Sequence, residues 1–273
     1  MNNKYAFVFP GQGSQTLGMG KDFVENFKES SLVFEEASDS IGLDLKKLCF
    51  GDSLEQLTLT ENLQPALYTT EIAMLKALEA TCSVRPHICA GHSLGEYAAL
   101  TAAGCLSISD GVKLTRHRGI AMQQAVPVGQ GAMAAVLGLN SNEAQLLCDS
   151  VSKESQHYVA CANFNAPGQV VIAGTSDGVA RASAFAKTDP VLSKCKIIPL
   201  NVSAPFHCKL MEPARNQMRG LLAQVNYAPL NCLLVPNVTA SATADHYSIS
   251  GLLVDQIISP VKWEQSVLEL LKN

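Results

Sequence analysis

The segment Gly91-His92-Ser93-Leu94-Gly95 limits the possible folds of this chain more than any other. Glycines on both sides of a serine permit a sharp turn from a strand into a helix, which exposes the serine hydroxyl and leaves the next backbone N–H free for an oxyanion. An apolar run, Ile88-Cys89-Ala90, precedes the turn, and a stretch rich in Leu and Ala follows it up to Gly104. The pattern predicts a strand, a tight turn and a helix, with Ser93 as a nucleophile. A serine that only caps a helix is the alternative.

A nucleophilic serine needs a general base, which the fold must bring from elsewhere in the chain. His207 follows the apolar run at residues 197–202, so we expect it just past a buried strand, where catalytic residues of open α/β sheets gather. His92 should point away from Ser93 and serve packing or hydrogen bonding. On these residues alone, a structural role for His207 stays open. The other histidines are His87, His157 and His246 in polar connections, and His117 between two arginines in a helical run.

Longer motifs surround these residues. They are FVFPGQGSQ at residues 7–15, GHSLGEY at 91–97, RG at 118–119, NFNAPGQVVIAG at 163–174 and PFH at 205–207. Together, in order and spacing, they resemble the malonyl-CoA:acyl carrier protein transacylase family over nearly the whole chain. The resemblance implies an acyltransferase that moves a malonyl group from malonyl-CoA to the phosphopantetheine thiol of an acyl carrier protein, by a ping-pong mechanism, for fatty acid or polyketide synthesis.

The resemblance also implies a role for each matching position in the reaction. Ser93 would attack the thioester, and His207 would accept and return the proton, so that a Ser-His dyad suffices. The backbone carbonyl of Gln256 would orient the imidazole. The backbone N–H groups of Gln12 and Leu94 would form the oxyanion hole.

Substrate choice is expected to depend on a single charged residue. By the same resemblance Arg118 would bind the malonyl carboxylate, for which a planar, permanently charged guanidinium is well suited. Phe206 would leave little room for an α-methyl branch and so disfavour methylmalonyl. Met122, Asn163 and Gln64 match pocket-lining positions, with ordinary packing as the alternative.

Composition excludes several classes of protein. The 273 residues, 47% hydrophobic and 16% charged, fit a globular protein, and no apolar stretch approaches the ~18 residues that span a membrane. Nine cysteines without paired spacing favour reduced thiols, a cytoplasmic location and no metal site. A net charge of -4 gives no support for nucleic-acid binding. We expect a monomer without a bound cofactor. The CoA thioester and the phosphopantetheine of the carrier protein would be substrates. Candidates for docking an acidic carrier protein, with a solvated face as the alternative, are Lys194, Lys196, Lys209 and Arg215.

The order of predicted elements separates two units of an α/β protein. A large α/β-hydrolase-like unit with a parallel sheet would comprise residues 1–127 and 201–273, and a ferredoxin-like subdomain would be inserted at 128–200, with the active site in the cleft between them. In the large unit we expect a strand at residues 5–9 and an amphipathic helix at 70–80. The insert predicts βαββαβ, with strands at 132–139, 158–163, 170–173 and 196–200 and helices at 142–151 and 177–187.

The end of the chain differs from the family pattern. Residues 260–272 predict a helix, and the sequence stops at Asn273, earlier than the family leads one to expect. We therefore expect an exposed sheet edge and an exposed apolar helix face. Two other functions stay open: a serine thioesterase or hydrolase, which Arg118 disfavours, and an inactive carrier-binding component, which intact Ser93 and His207 disfavour.

Overall fold

A computed structural model describes residues 4–154, 157–202 and 204–273. It contains one parallel and one antiparallel sheet, each with its own helices. The strands are β1 (Ala6–Phe9), β2 (Ile88–Gly91), β3 (Gly131–Leu137), β4 (Val159–Ala166), β5 (Gln169–Thr175), β6 (Lys196–Pro199) and β7 (Leu233–Val235). The helices are α1 (Lys21–Asn26), α2 (Lys28–Ile41), α3 (Leu45–Phe50), α4 (Leu54–Thr58), α5 (Thr60–Thr81), α6 (Gly95–Ala102), α7 (Ile108–Gln124), α8 (Ser141–Glu154), α9 (Ser176–Thr188), α10 (Glu212–Ala223), α11 (Ile249–Gln256) and α12 (Trp263–Lys272).

The parallel sheet has the strand order β1-β2-β7, so that β2 lies in the centre. Every residue of β2 is buried, as the uninterrupted apolar run Ile88-Cys89-Ala90 requires of a strand covered on both faces. At its carboxyl end the chain turns directly into α6. This is the predicted strand, turn and helix. It places Ser93 beside the carboxyl ends of all three parallel strands.

The antiparallel sheet has the order β4-β5-β3-β6 and is built from one continuous stretch of chain. All six elements predicted for this stretch are present, with ends that differ by a few residues. A separate apolar core, which includes Leu147, Val170 and Ile172, lies between this sheet and helices α8 and α9. A bridge between Asn163 of β4 and Val261 ties the sheet to the rest of the molecule.

Two elements differ from the sequence prediction. The strand before His207 is not buried: β6 pairs only with β3 among the described strands and its residues are half-exposed or exposed. The helix expected at residues 70–80 begins at Thr60, continues through Pro65 and is buried on most sides. Helices α2 and α7 pack against it, and this tertiary burial outweighs the polar residues and the proline of its first half.

The C-terminal helix α12 begins at Trp263, three residues later than predicted. Trp263 and Leu270 pack on Ile88, Ala90 and Val235 of the parallel sheet. Leu268 and Leu271 are exposed. No helix in residues 4–154, 157–202 and 204–273 is long and apolar enough to cross a bilayer.

The outer side of β1 borders a groove. No strand among the described residues pairs with this side of β1, where Val8 is 54% exposed. A groove of about 700 Å³ runs between β1 and α5 and is lined mostly by apolar side chains. The carboxyl group of Glu71 lies in the lining of this groove, buried and without a hydrogen-bond partner among the described residues.

Candidate active site

The turn after β2 holds Ser93 in a strained backbone conformation. Its φ of 53° lies in the left-handed region, which costs a non-glycine residue of order 1–2 kcal/mol. Two glycines make the turn possible: a Cβ on Gly91 would collide with the backbone of Gly95, and a Cβ on Gly95 would collide with the backbone of Phe9 and Pro10. The Ser93 N–H donates to Oδ1 of Asn237 at 2.6 Å. The sequence thus supplies both the space and the hydrogen bond that hold the hydroxyl in place.

His207 lies against Ser93, as the sequence predicts. Its Nε2 is 2.7 Å from Ser93 Oγ and its Nδ1 is 2.9 Å from the backbone oxygen of Gln256. The carbonyl accepts the Nδ1 proton, which leaves Nε2 as the acceptor toward the serine. Burial first, and the nearby Arg118 charge second, lower the pKa of His207 to about 3. The imidazole is therefore neutral in the resting protein and able to take a proton.

Arg118 is the third group at the serine. It is 1% exposed, and its Nη2 donates to Ser93 Oγ at 3.0 Å and to Gln256 Oε1 at 2.9 Å, while Nη1 donates to Gln64 Oε1 at 2.8 Å. Its Nε is buried and has no partner in the described part of the chain. None of the ion pairs among the described residues includes Arg118. Burial lowers the pKa of this guanidinium, yet an arginine stays charged at any working pH, so the site holds a positive charge without a direct carboxylate partner among the described residues.

A cavity of about 250 Å³ opens beside these three residues, between the two sheets. All four predicted pocket residues line it, namely Met122, Asn163, Phe206 and Gln64. Gln12 and Leu94 line it as well. Neither of their backbone N–H groups has a hydrogen-bond acceptor among the described residues. The cavity volume leaves room for a small acyl group, and both N–H groups predicted for the oxyanion hole lack a protein acceptor in the described part of the chain.

Comparison with known proteins decides the family. The profile of the acyl transferase domain matches residues 6–272. The chain belongs to the acyl transferase family. It is therefore an acyltransferase, and the resemblance inferred from the sequence motifs is confirmed.

Relatives of this acyl transferase chain agree in sequence and in fold. It is 42% identical over 269 residues to a malonyl CoA-acyl carrier protein transacylase of Bacillus subtilis (strain 168), covering 98% of this chain and 83% of the relative. The acyl-carrier-protein S-malonyltransferase from Burkholderia pseudomallei 1710b has a TM-score of 0.93 and 41% identity, with 99% of this chain and 86% of that one covered. A malonyl-transacylase solved in complex with a type II PKS acyl-carrier protein gives a TM-score of 0.93 at 37% identity, with 99% and 86% covered.

The candidate site of this acyl transferase includes three groups that the sequence analysis missed. Asn237 accepts from the Ser93 N–H and donates through Nδ2 to the Gly91 carbonyl at 2.7 Å. The Gln256 side chain donates to the Ser93 carbonyl at 3.0 Å, in addition to the backbone contact with His207. Glu96, 1% exposed, accepts hydrogen bonds from both of these residues. Asn237 lies two residues after the end of β7. A polar residue just past a parallel strand is the sequence signal that could have identified it as part of the site.

The remaining predicted residues of this acyl transferase do not contact the hydroxyl of Ser93. His92 has its Nε2 2.9 Å from Asn165 Oδ1 and its ring 5.4 Å from that of Trp263, which fits the packing and hydrogen-bonding role expected for it. None of the other four histidines lines the cavity. Of the candidate docking residues, Lys194 pairs with Glu143, and Arg215 pairs with Glu212 and Asp255. No three His, Cys, Asp or Glu side chains of the described residues are grouped to hold a metal ion.

Proposed function

We propose that this protein transfers a malonyl group from malonyl-CoA to the phosphopantetheine thiol of an acyl carrier protein, through a malonyl ester on Ser93. One observation carries the proposal: Ser93 Oγ lies 2.7 Å from His207 Nε2 and 3.0 Å from Arg118 Nη2. Nucleophile, base and a buried cation without a carboxylate partner thus meet at one oxygen atom. The names of the relatives support the same substrates, because they are malonyl transacylases, one of them bound to a carrier protein.

In the first half-reaction Ser93 Oγ attacks the thioester carbon of malonyl-CoA while His207 Nε2 takes the hydroxyl proton. The carbonyl oxygen becomes an oxyanion, which the N–H groups of Gln12 and Leu94 stabilise; each such donor is worth about 3 kcal/mol in the transition state. The C–S bond then breaks, and the CoA thiolate takes the proton from His207. The products are CoA with a free thiol and malonyl-Ser93.

In the second half-reaction the phosphopantetheine thiol of the carrier protein enters in place of CoA. His207 Nε2 takes the thiol proton, and the thiolate attacks the ester carbon of malonyl-Ser93. The ester C–O bond breaks, and Ser93 Oγ recovers the proton from His207. Malonyl carrier protein leaves, and the enzyme returns to its first state, which is a ping-pong sequence.

The bound carboxylate should also activate the base. In the substrate-free site the charge of Arg118 contributes to the low pKa of His207. A malonyl carboxylate paired with Arg118 would offset that charge, so the pKa of His207 would rise as the correct substrate binds. An acetyl group, which lacks the carboxylate, would leave the imidazole a weaker base. Arg118 would thus favour malonyl twice, through binding and through the basicity of His207, while Phe206 restricts an α-methyl branch.

We infer that the two sheets belong to a large α/β-hydrolase-like unit, residues 1–127 and 201–273, and an inserted ferredoxin-like subdomain, residues 128–200. The order β4-β5-β3-β6 with both helices on one face supports the second assignment. The strand, turn and helix around Ser93 support the first. Ser93 and Arg118 then belong to the large unit, and Asn163 contributes to the pocket from the insert.

Intact-protein mass spectrometry after mixing with malonyl-CoA tests this function. We expect a malonyl adduct that is absent in Ser93→Ala, is not formed from acetyl-CoA, and disappears when a holo carrier protein is added. If CoA is released but no adduct forms and no malonyl group reaches the carrier protein, the protein is a hydrolase instead. Folded protein that forms no adduct and releases no CoA would contradict any acyl-transfer activity of this chain.

A further inference from the structure

A buried carboxylate lies beneath the reacting residues without touching the cavity. Glu96 is in the first turn of α6, three residues after Ser93, and is 1% exposed. One of its oxygens, Oε2, accepts from the backbone N–H of Asn237 at 3.0 Å and from Nε2 of Gln256 at 2.8 Å. Burying a carboxylate costs desolvation free energy, which its hydrogen bonds must offset. The partners of Glu96 therefore indicate what the carboxylate does in the protein.

The Gln256 amide lies between this carboxylate and Arg118. Its Nε2 donates to Glu96, and its Oε1 accepts from Arg118 Nη2 at 2.9 Å. An ionised carboxylate can only accept hydrogen bonds and a guanidinium can only donate them. The amide therefore satisfies both neighbours in one orientation, and the opposite orientation would bring two donors together and two acceptors together.

The amide also keeps the two charges apart. A direct ion pair with Glu96 would occupy donors of Arg118 and offset the charge that a substrate carboxylate needs. With Gln256 between them, Arg118 is held in position by two neutral amides, Gln64 and Gln256, and its Nε has no described partner. The guanidinium is thus oriented while its charge stays available.

We propose that Glu96 is a positioning residue that fixes the side-chain amide of Gln256, through which Arg118 is held for the carboxylate of the acyl group. This assignment rests on the proposed malonyl transfer. Glu96 acts on Arg118 through the Gln256 side chain, whereas His207 is oriented by the Gln256 backbone carbonyl, which no side-chain change removes. Glu96 also accepts from the Asn237 N–H, but the Ser93 turn keeps both hydrogen bonds of the Asn237 side chain. Loss of the Glu96 charge should therefore impair recognition of the carboxylate more than the reactivity of Ser93.

Kinetics at pH 8 test this role, because burial raises the pKa of Glu96 to about 7 and the group is mostly ionised above that pH. Glu96→Gln keeps the size of the side chain and removes the charge. We expect KM for malonyl-CoA to rise about tenfold, because the hydrogen bonds from Gln256 and Asn237 lose their charged acceptor and become neutral ones, which are about half as strong. The rate at which an uncharged sulfonyl fluoride modifies Ser93 should change less than about twofold. Glu71→Gln is the same substitution at another buried carboxyl group, away from the cavity, and should alter neither quantity.

A double-variant cycle locates the effect. Gln256→Met removes the amide but keeps the backbone carbonyl, so adding Glu96→Gln to it should raise KM no further. Should Glu96→Gln fail to fold, Glu96→Asp replaces it in both measurements, because the shorter carboxylate no longer reaches Gln256.

Three results would overturn the assignment. The first is a Glu96 variant that slows malonyl transfer and sulfonyl fluoride modification by equal factors, which is the effect of a purely structural role. The second is a cycle in which the effects of the two substitutions on KM multiply, as they do for residues that act independently. The third is an unchanged KM for malonyl-CoA in Glu96→Gln, measured beside a wild-type enzyme that does malonylate Ser93. A wild-type protein that forms no malonyl-Ser93 contradicts the proposed function itself, and then Arg118 has no carboxylate to be positioned for.

Discussion

Arg118 and His207 both contact Ser93 Oγ, and the charge of the arginine acts on the imidazole. Because Arg118 lowers the pKa of His207, its replacement by an uncharged residue should raise that pKa, although burial still holds it below the ordinary value. In Arg118→Met we expect the reactivity of Ser93 toward an uncharged sulfonyl fluoride to begin falling at a higher pH, on acidification, than in the wild type. The rate of modification between pH 4 and 8 measures this.

Arg118→Lys is the matched control, because it keeps the charge and loses the planar pair of donors. Its reactivity should follow the wild-type pH dependence, while KM for malonyl-CoA rises roughly 100-fold through the loss of bidentate binding. If Arg118→Met and the wild type lose reactivity at the same pH, the charge does not control the base.

At the residue scale the sequence identified the candidate reacting groups but not the side chains that hold them in place. Ser93, His207 and Arg118 lie in recognisable motifs, and the structure brings them to one oxygen atom. Asn237 and Glu96 were missed because they act only through contacts made after folding, across 141 residues of chain. The Gln256 side chain was missed for the same reason, although its backbone carbonyl was predicted from the family resemblance.

At the scale of elements, the turn from β2 into α6 depends on glycine for space rather than for flexibility. A Cβ on Gly95 would meet backbone atoms of Phe9 and Pro10, which cannot move without displacing β1. We expect Gly95→Ala to lower kcat at least 100-fold and to destabilise the protein by about 3 kcal/mol, as overpacking of a tight site does. Steady-state kinetics and thermal unfolding measure the two effects.

Gly220→Ala is the control for this substitution. Gly220 lies in α10, and a Cβ there would meet no atom within 4 Å. Alanine should therefore stabilise the helix by up to about 1 kcal/mol and leave kcat unchanged. A Gly95→Ala variant with kcat close to that of Gly220→Ala would show that the turn tolerates a side chain.

The elements themselves were predicted with uneven success, and the reason is tertiary packing. The apolar run of β2 and the alternating elements of the second sheet carry local signals, so their type was predictable. The first half of α5 carries polar residues and Pro65, and only its burial among other helices explains why it is helical. β6 is apolar in sequence yet lies at a sheet edge, since strand order depends on pairing that periodicity does not encode.

At the scale of the whole molecule, the groove beside β1 contains a carboxyl group, that of Glu71, whose ionisation is disfavoured by burial. Glu71 is 5% exposed, neither of its oxygens has a partner among the described residues, and burial raises its pKa well above the ordinary value. The folded protein therefore keeps this proton over a pH range in which the unfolded chain has lost it. In that range stability must fall as the pH rises, because the folded state binds more protons than the unfolded state.

Glu71→Gln removes this titration and so should make the protein more stable than the wild type at neutral pH. The difference in unfolding free energy should be small at and below about pH 4.5, the ordinary pKa of the carboxyl group, because the unfolded wild-type chain still holds much of the proton there. It should then grow by up to about 1.4 kcal/mol per pH unit until the folded carboxyl ionises. Thermal or urea unfolding of both proteins from pH 4.5 to 8 measures the difference. Glu96 is present in both, so its own raised pKa cancels. A difference that does not change with pH would mean that Glu71 is hydrated or paired in solution and that its pKa is not raised in the folded protein.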